Sequence, residues 1–377
     1  MNKQLSVGLI GCGDVALCYY LPALKESKYV NLLAVCDLNR ERAELVAKAF
    51  SVPKIYTDYK EMLKDKSIEA VVNLTPNTFH FQINRDVLAS GRHLYTEKLM
   101  ADNVEEATIL VDEATKQGVK LASAPSVMLD PINIAVKKII EAGVIGKISY
   151  VTSHNCHGGP ASRGYFDSYK SLIASSGLLN WEEISTDPTW FYKKGSWGAM
   201  ADLGVYGFAA LTGILGPVKR LSAISGTSYD TVTVMGGTAK GKKIEVETDD
   251  CTLMVIDFGN GVFASVDSAW TVQATKSPTM EIYGSKGTIT VSWTDAGSEL
   301  EVYIDQIAEN LNGWLRPSLA DQTPWNLASG IDHFAKCVLY DEKLLIGGEH
   351  ARHVVEIVQG AEVSSREGRT IELKTSF

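Results

Sequence analysis

Four groups of residues have the types and spacing to do chemistry. The first is Gly11-Cys12-Gly13-Asp14-Val15-Ala16, directly after the apolar run at residues 5–10. Gly11, Gly13 and Ala16 fit a G-x-G-x-x-G/A fingerprint. The first glycine permits a tight turn, and the second lets backbone approach a pyrophosphate. The small third residue lets the following helix pack on the strand, with its N-terminus toward the anion. Such a fingerprint calls for an acidic residue about 20 positions on, after the next strand. Asp37 ends the strand-like run at 31–36, with Leu38 and Arg40 just beyond. A carboxylate there accepts bonds from the adenosine ribose hydroxyls and repels a 2′-phosphate. NAD is therefore expected over NADP, and Arg40 is near enough to soften that preference.

The second group is Thr75-Pro76-Asn77 and Glu97-Lys98, each at the end of an apolar strand-like run, 69–74 and 93–96. In doubly wound sheets ligands bind at that edge. Most lysines are solvated surface residues, but at this edge Lys98 is a fixed positive charge near a reacting oxygen. The third group is Asp202 and Tyr206, four apart on a helix-compatible segment at 200–215, so they share a face. Tyr206 is a candidate proton donor or acceptor, with a nearby Lys98 ammonium expected to lower its pKa. On the residue pattern alone, a core-facing helical tyrosine with a satisfied hydroxyl is the plainer reading. The fourth group is His154, Cys156 and His157. On a strand only the first two converge, and with no further ligand motif nearby no metal is expected. His157, before Gly158-Gly159, is read as a substrate contact.

The elements that must position these groups follow from the pattern. Strand-like and helix-like segments alternate regularly from residue 5 to 124, which means a parallel sheet covered on both faces. A helix at 15–25 should be kinked or ended by Pro22. An amphipathic helix carries Ile132, Ala135, Val136, Ile139 and Ile140, and a strand follows at 147–153. The stretch 154–196 is long, polar and aromatic, with Tyr165, Tyr169, Trp181, Trp190, Phe191 and Tyr192. It reads as a functional loop or a partner-contacting insertion. Its aromatic faces suit sugar rings or an aglycone, and equally suit packing or subunit contact. From 219 onward strands dominate, joined in places by glycine turns, so this half carries a largely antiparallel sheet. Two helices and a short strand close the chain. His333, at the start of the first, reads as structural. The expected fold is α/β: a Rossmann doubly wound parallel sheet at 1–125, then an α+β substrate-binding and oligomerisation domain at 126–377 with a large open sheet.

The chain has 377 residues, too many for one ordinary core. A net charge of −9 argues against nucleic acid or an anionic membrane as main partner. No apolar run reaches the ~18 residues of a membrane span, and the first residues carry no signal peptide pattern. Six scattered cysteines without C-x-x-C pairs suit reduced thiols in a cytoplasmic enzyme.

With these residues in place, the chain resembles the glucose–fructose oxidoreductase / inositol dehydrogenase (Gfo/Idh/MocA) family. The resemblance rests on Gly11-Cys12-Gly13, Asp37, Thr75-Pro76-Asn77-Thr78-Phe79-His80, Glu97-Lys98-Leu99 and Asp202-Leu203-Gly204-Val205-Tyr206, and it covers nearly the whole chain. It implies hydride transfer between a nicotinamide and a secondary alcohol carbon of a sugar, polyol or glycoside. Tyr206 would exchange the hydroxyl proton, and Lys98 would orient the substrate oxygen. Asp202 would bind a neighbouring hydroxyl and position Lys98. Asn77 and His80 would lie near the nicotinamide ribose. A homo-oligomer built through the C-terminal sheet is also implied. Alternatives within the resemblance are an enzyme whose NAD stays bound and recycles, and a non-catalytic ligand sensor. Three departures bear on the substrate pocket. Leu99 stands where the family has proline, which implies a reshaped Lys98 loop. Trp197, in an altered glycine triplet at 195–199, implies an indole entering the pocket. Ala209 stands where relatives often carry Asp or His.

Overall fold

The computed structural model describes residues 3–176, 187–294, 297–319 and 325–377. Trp181 lies outside them. Strands β1 (Leu5–Ile10), β2 (Val30–Cys36), β3 (Lys54–Tyr56), β4 (Ala70–Asn73), β5 (His93–Thr96) and β6 (Leu121–Ser123) form one sheet, in the order β3-β2-β1-β4-β5-β6. Every pairing is parallel. The order reverses beside β1, which opens a crevice at the carboxyl ends of the strands. The runs are apolar throughout because both faces are covered. In β4, Val71 joins one core while Ala70 and Val72 join the other.

The helix after the glycine loop differs from expectation. It starts at Asp14, widens into a π-helical turn at Ala16–Tyr20 and continues as α1 (Leu21–Glu26), with Pro22 in the first turn of α1. Pro22 has no N–H to bond back into the preceding turn, so it sits where none is needed. The widened turn absorbs the mismatch, and the proline does not end the helix. Helices α2 (Arg40–Phe50), α3 (Tyr59–Met62), α4 (His80–Ala89) and α5 (Val104–Gln117) complete the crossovers. Asn39, Asp58 and Asn103 cap three of them through their side chains, and α5 stops at Gly118 in the left-handed region.

After α6 (Pro131–Glu141), the second sheet begins with β7 (Ile148–Cys156). Strands β8 (Arg220–Gly226), β11 (Cys251–Gly259), β12 (Val262–Ala269), β13 (Met280–Gly284), β14 (Gly287–Thr294), β15 (Gly297–Ala308), β16 (Leu311–Leu315) and β17 (Ile371–Glu372) complete it. Their order is β16-β15-β14-β13-β7-β12-β11-β8-β17. β9 (Thr231–Thr233) and β10 (Lys243–Glu245) form a separate hairpin. All pairings in the large sheet are antiparallel except β7 with β12, which brings those two carboxyl ends out side by side.

The stretch 154–196 is not a simple loop. Its first residues finish β7, and α7 (Arg163–Ser176) occupies its middle. Phe166, Tyr169 and Ile173 fall on one helical face and are buried against the turn that follows the glycine loop. After α8 (Val205–Leu215) and the sheet come α9 (Ser329–Tyr340) and α10 (Gly348–Glu367). These two return to the parallel sheet. Ile331, Phe334 and Ala335 enter one of its cores, and the Ser123 N–H donates to the Ile346 carbonyl at 3.0 Å.

Candidate active site

The glycine loop is built as its spacing demands. Gly11 has φ +91°, and a Cβ there would lie 2.8 Å from the Leu74 carbonyl atoms. Around Gly13 a Cβ would meet nothing within 4 Å. That open space at a helix start fits a pyrophosphate. Asp14 and Val15 form the helix's first turn, and Ala16 is buried beneath it. Asp37 sits at the rim of the loop. Its Oδ2 accepts from the Cys12 N–H at 2.9 Å and its Oδ1 from the Asn39 N–H at 2.8 Å. Leu38 is exposed, and Arg40 leans on Glu44 in an exposed pair. The Cys12 thiol is pushed up by burial and by the Asp37 charge, which keeps it protonated.

At the end of β4, Thr75 is anchored through Asn73, whose Oδ1 accepts from the Thr75 hydroxyl at 2.8 Å. Pro76 leads into a 3-10 turn at Asn77–Phe79. Asn77 Nδ2 donates to the Ser196 carbonyl at 3.2 Å, tying the two halves of the chain together, while its Oδ1 is buried without a hydrogen-bond partner. His80 is only 1% exposed. Its Nδ1 lies 2.5 Å from the Leu99 carbonyl and its Nε2 lies 2.6 Å from the Thr75 carbonyl. Burial pushes its pKa down, with the two carbonyls pulling the other way. His80 thereby sits between the Leu99 and Thr75 loops and braces them.

Lys98 leaves the end of β5 across a cis peptide to Leu99. Its Nζ donates to Asp202 twice, to the carbonyl at 2.9 Å and to Oδ1 at 3.1 Å. The same Nζ lies 5.3 Å from the centre of the Tyr206 ring, over its face. This geometry overturns the expected effect on Tyr206. Burial, then the Glu97 and Asp202 charges, push its hydroxyl well above the ordinary tyrosine value. Lys98 instead stabilises the Asp202 carboxylate, which stays below the usual range despite its burial. His157 also faces Asp202, with Nε2 3.8 Å from Oδ2. His154 and Cys156 both turn to Asp267 on the outward side of the sheet, away from His157.

Trp197 has φ +64° and is a partly buried side chain packed against the core. The neighbouring Gly198 admits no side chain, since a Cβ would lie 2.0 Å from the Asp249 carbonyl oxygen. Ala209 lines a cavity of about 20 Å³ behind Lys98 and Leu99, shared with His350.

Three further residues shape the site. Tyr20 donates to Glu97 Oε1 at 2.6 Å, and Glu97 Oε2 accepts from the Lys98 N–H at 3.0 Å. The helix after the glycine loop thereby fixes the Lys98 backbone. Asn84 spans β4, β5 and the Met100 carbonyl. Trp270 Nε1 donates to Asp202 Oδ2 at 3.0 Å. A tryptophan closing an alternating strand was the one visible sign of the last.

The sequence on both sides of this crevice matches a known family. The model of the oxidoreductase family with an NAD-binding Rossmann fold matches residues 5–124, and the GFO/IDH/MocA C-terminal domain matches 134–290. The chain belongs to the Gfo/Idh/MocA oxidoreductases. Among similar proteins is levoglucosan dehydrogenase of Pseudarthrobacter phenanthrenivorans, 26% identical over 80% of this chain and 76% of that one. Another is dTDP-3,4-didehydro-2,6-dideoxy-alpha-D-glucose 3-reductase of Streptomyces violaceoruber, 24% identical over 81% of this chain and 73% of its own. A solved levoglucosan dehydrogenase in complex with NADH and levoglucosan superposes with a TM-score of 0.82. It is 19% identical and covers 99% of this chain and 100% of its own. As a Gfo/Idh/MocA protein the chain is an NAD-binding oxidoreductase. No helix of the described residues is long and apolar enough to cross a membrane.

Proposed function

We propose that this protein transfers a hydride between NAD and a secondary alcohol or ketone carbon of a sugar, polyol or glycoside. The observation that carries the reading is the Lys98–Asp202 pair set against the Tyr206 ring beside the crevice. The names of the two sugar-acting relatives support the substrate class. NAD, when bound, supplies the hydride acceptor or donor. Gly13 leaves room for its pyrophosphate, Asp37 faces its adenosine ribose, and the buried Asn77 Oδ1 offers an acceptor near its reactive end.

Lys98 spends two of its three donors on Asp202 and directs the third to the substrate oxygen. There it stabilises developing alkoxide charge. Tyr206, kept protonated by burial, gives its proton to that oxygen in ketone reduction and takes it back in alcohol oxidation. His157 and Asp202 hold neighbouring hydroxyls. The test is a panel of ketoses and glycosides assayed with NADH, and of sugars with NAD, following NADH absorbance. Turnover that vanishes in Lys98→Ala is the expected result, and full activity in that variant refutes the assignment.

A second reading retains the cofactor, which is oxidised and re-reduced within one turnover, and changes the net reaction to that of a glycosidase or a paired-substrate oxidoreductase. It is favoured by α7, which packs on the helix after the glycine loop through Tyr19–Tyr169 and Cys18–Tyr169 contacts. Nicotinamide co-purifying in stoichiometric amount would support it, and cofactor-free protein would exclude it. The reading also includes a division near residue 125, bridged by α9 and α10, and self-association through the outward face of the large sheet. The free cysteines suit a reducing cytoplasm.

A further inference from the structure

Asp202 is met by three N–H bearing side chains from three parts of the fold. Lys98 lies 3.1 Å from Oδ1, Trp270 Nε1 lies 3.0 Å from Oδ2, and His157 Nε2 lies 3.8 Å from the same Oδ2. We propose that Trp270 is a positioning residue, whose indole N–H pins one carboxylate oxygen of Asp202 so that the other faces Lys98. The inference rests on the function proposed above.

The fold explains why Trp270 arrives there. It follows the last residue of β12, and β12 is paired in parallel with β7. Both carboxyl ends therefore emerge at one edge, where the His157 N–H donates to the Ala269 carbonyl at 3.0 Å. Two adjacent strands thereby bring a neutral donor, Trp270, and a neighbouring imidazole, His157, to one carboxylate. His157 Nδ1 accepts from the Gly159 N–H at 2.8 Å, so the neutral ring carries its proton on Nε2, toward Asp202.

Trp270 is itself held rigidly. It is 4% exposed, its backbone N–H donates to the Asp250 carbonyl at 2.8 Å, and Tyr192 packs 5.1 Å from its ring. Gly159 makes room, since a Cβ there would lie 3.1 Å from Trp270 Cβ. The ammonium of Lys98 is a point charge on a flexible stem, so alone it fixes a distance to the carboxylate and not its rotation. The indole N–H is a directed donor on a buried plane, and it supplies the rotation.

The experiment compares Trp270→Phe with Phe191→Leu. Phe191 packs 6.4 Å from the Trp270 ring without touching Asp202, so its loss disturbs packing and spares the N–H. In Trp270→Phe, kcat should fall about tenfold, with KM and NAD affinity nearly unchanged. Removing a donor raises the carboxylate's pKa, so the acid limb of the rate profile should move to higher pH. The other titratable groups facing Asp202 are Lys98, His157, Tyr165, Tyr192 and Tyr206. Both variants leave all of them in place. An acid limb unmoved in Trp270→Phe, or moved equally in Phe191→Leu, overturns the proposal.

A second readout needs no turnover. Acetic anhydride labelling of the Lys98 amine, read by peptide mass spectrometry against pH, should be faster in Trp270→Phe as the ion pair loosens. Unchanged labelling overturns the positioning role. Faster labelling in a protein that turns over no sugar keeps the role and refutes the proposed reaction. Trp270→Met, which fills the space without a donor, replaces Trp270→Phe where the latter fails to fold.

Discussion

Gly11 sits at φ +91° against the backbone of Leu74 and Thr75, whereas Gly13 faces open space. Two glycines of one fingerprint therefore fail differently. Gly11→Ala must strain its own backbone and push a neighbouring strand end, which should cost roughly 1–3 kcal/mol of stability, visible as a lowered melting temperature. Gly13→Val should melt as the wild type does and lose NAD affinity, measured by titration calorimetry. The reverse pattern would mean that the pyrophosphate lies elsewhere. Tyr206 gives a second test. Its hydroxyl is held protonated by burial and by the Glu97 and Asp202 charges. Ketone reduction should therefore persist on the alkaline side past the ordinary tyrosine range. Tyr206→Phe should lower kcat by about 10²–10⁴-fold and leave NAD binding intact. A phenylalanine variant with near wild-type kcat would remove Tyr206 from the proton path.

Strand ends were legible because a parallel sheet writes itself as apolar runs, so Asp37, Thr75 and Lys98 could be placed by where those runs stop. The π-helical turns at Ala16–Tyr20 and Met200–Gly204 were not legible, because the one-residue phase shift of a single turn is too short to stand out in the apolar spacing. Tyr20 and Trp270 escaped for another reason. They act across elements far apart in sequence, and periodicity reports only local faces. α7 was missed, because the aromatic and polar composition around Phe166, Tyr169 and Ile173 masked their helical spacing. α10 carries a prediction of its own. His353 Nε2 accepts from the Val218 N–H at 2.9 Å, so its proton lies on Nδ1, 2.9 Å from Thr375 Oγ1. His350 stacks on Phe377 at 4.2 Å and meets Thr212. Burial pushes both imidazoles down to about 4. The unfolded chain then binds more protons than the native one between the usual histidine range and pH 4. Stability should fall on acidification through that window, by up to roughly 3 kcal/mol per histidine. Urea midpoints at several pH values should show the slope, and His350→Gln with His353→Gln should flatten it. An equal slope in the double variant would assign the acid loss to other groups.

The large sheet has one face committed to the core, with Met254, Ile256, Ala264 and Val266 buried. Its other face exposes Ile224 at 77%, Val255 at 60%, Leu253 at 57%, Phe263 at 50% and Tyr150 at 41%. These are not scattered. Ile224 pairs with Leu253 across β8 and β11, and Phe263 pairs with Tyr150 across β12 and β7, so four neighbouring strands present one apolar field. Soluble monomers rarely expose contiguous apolar area beyond a few hundred Å². A second copy turned about a two-fold axis presents the same field, and the strand alternation lets it be covered without disturbing the buried face. The carboxyl edge of the same strands carries His157 and Trp270, so assembly would clamp the strands that position Asp202. Leu253→Glu with Val255→Lys leaves every site residue in place. It should convert the assembly to a smaller species by sedimentation equilibrium, with kcat retained and the melting temperature lowered. Wild-type protein that sediments as a monomer would refute self-association. An unchanged oligomer in the double variant would place the interface on another surface.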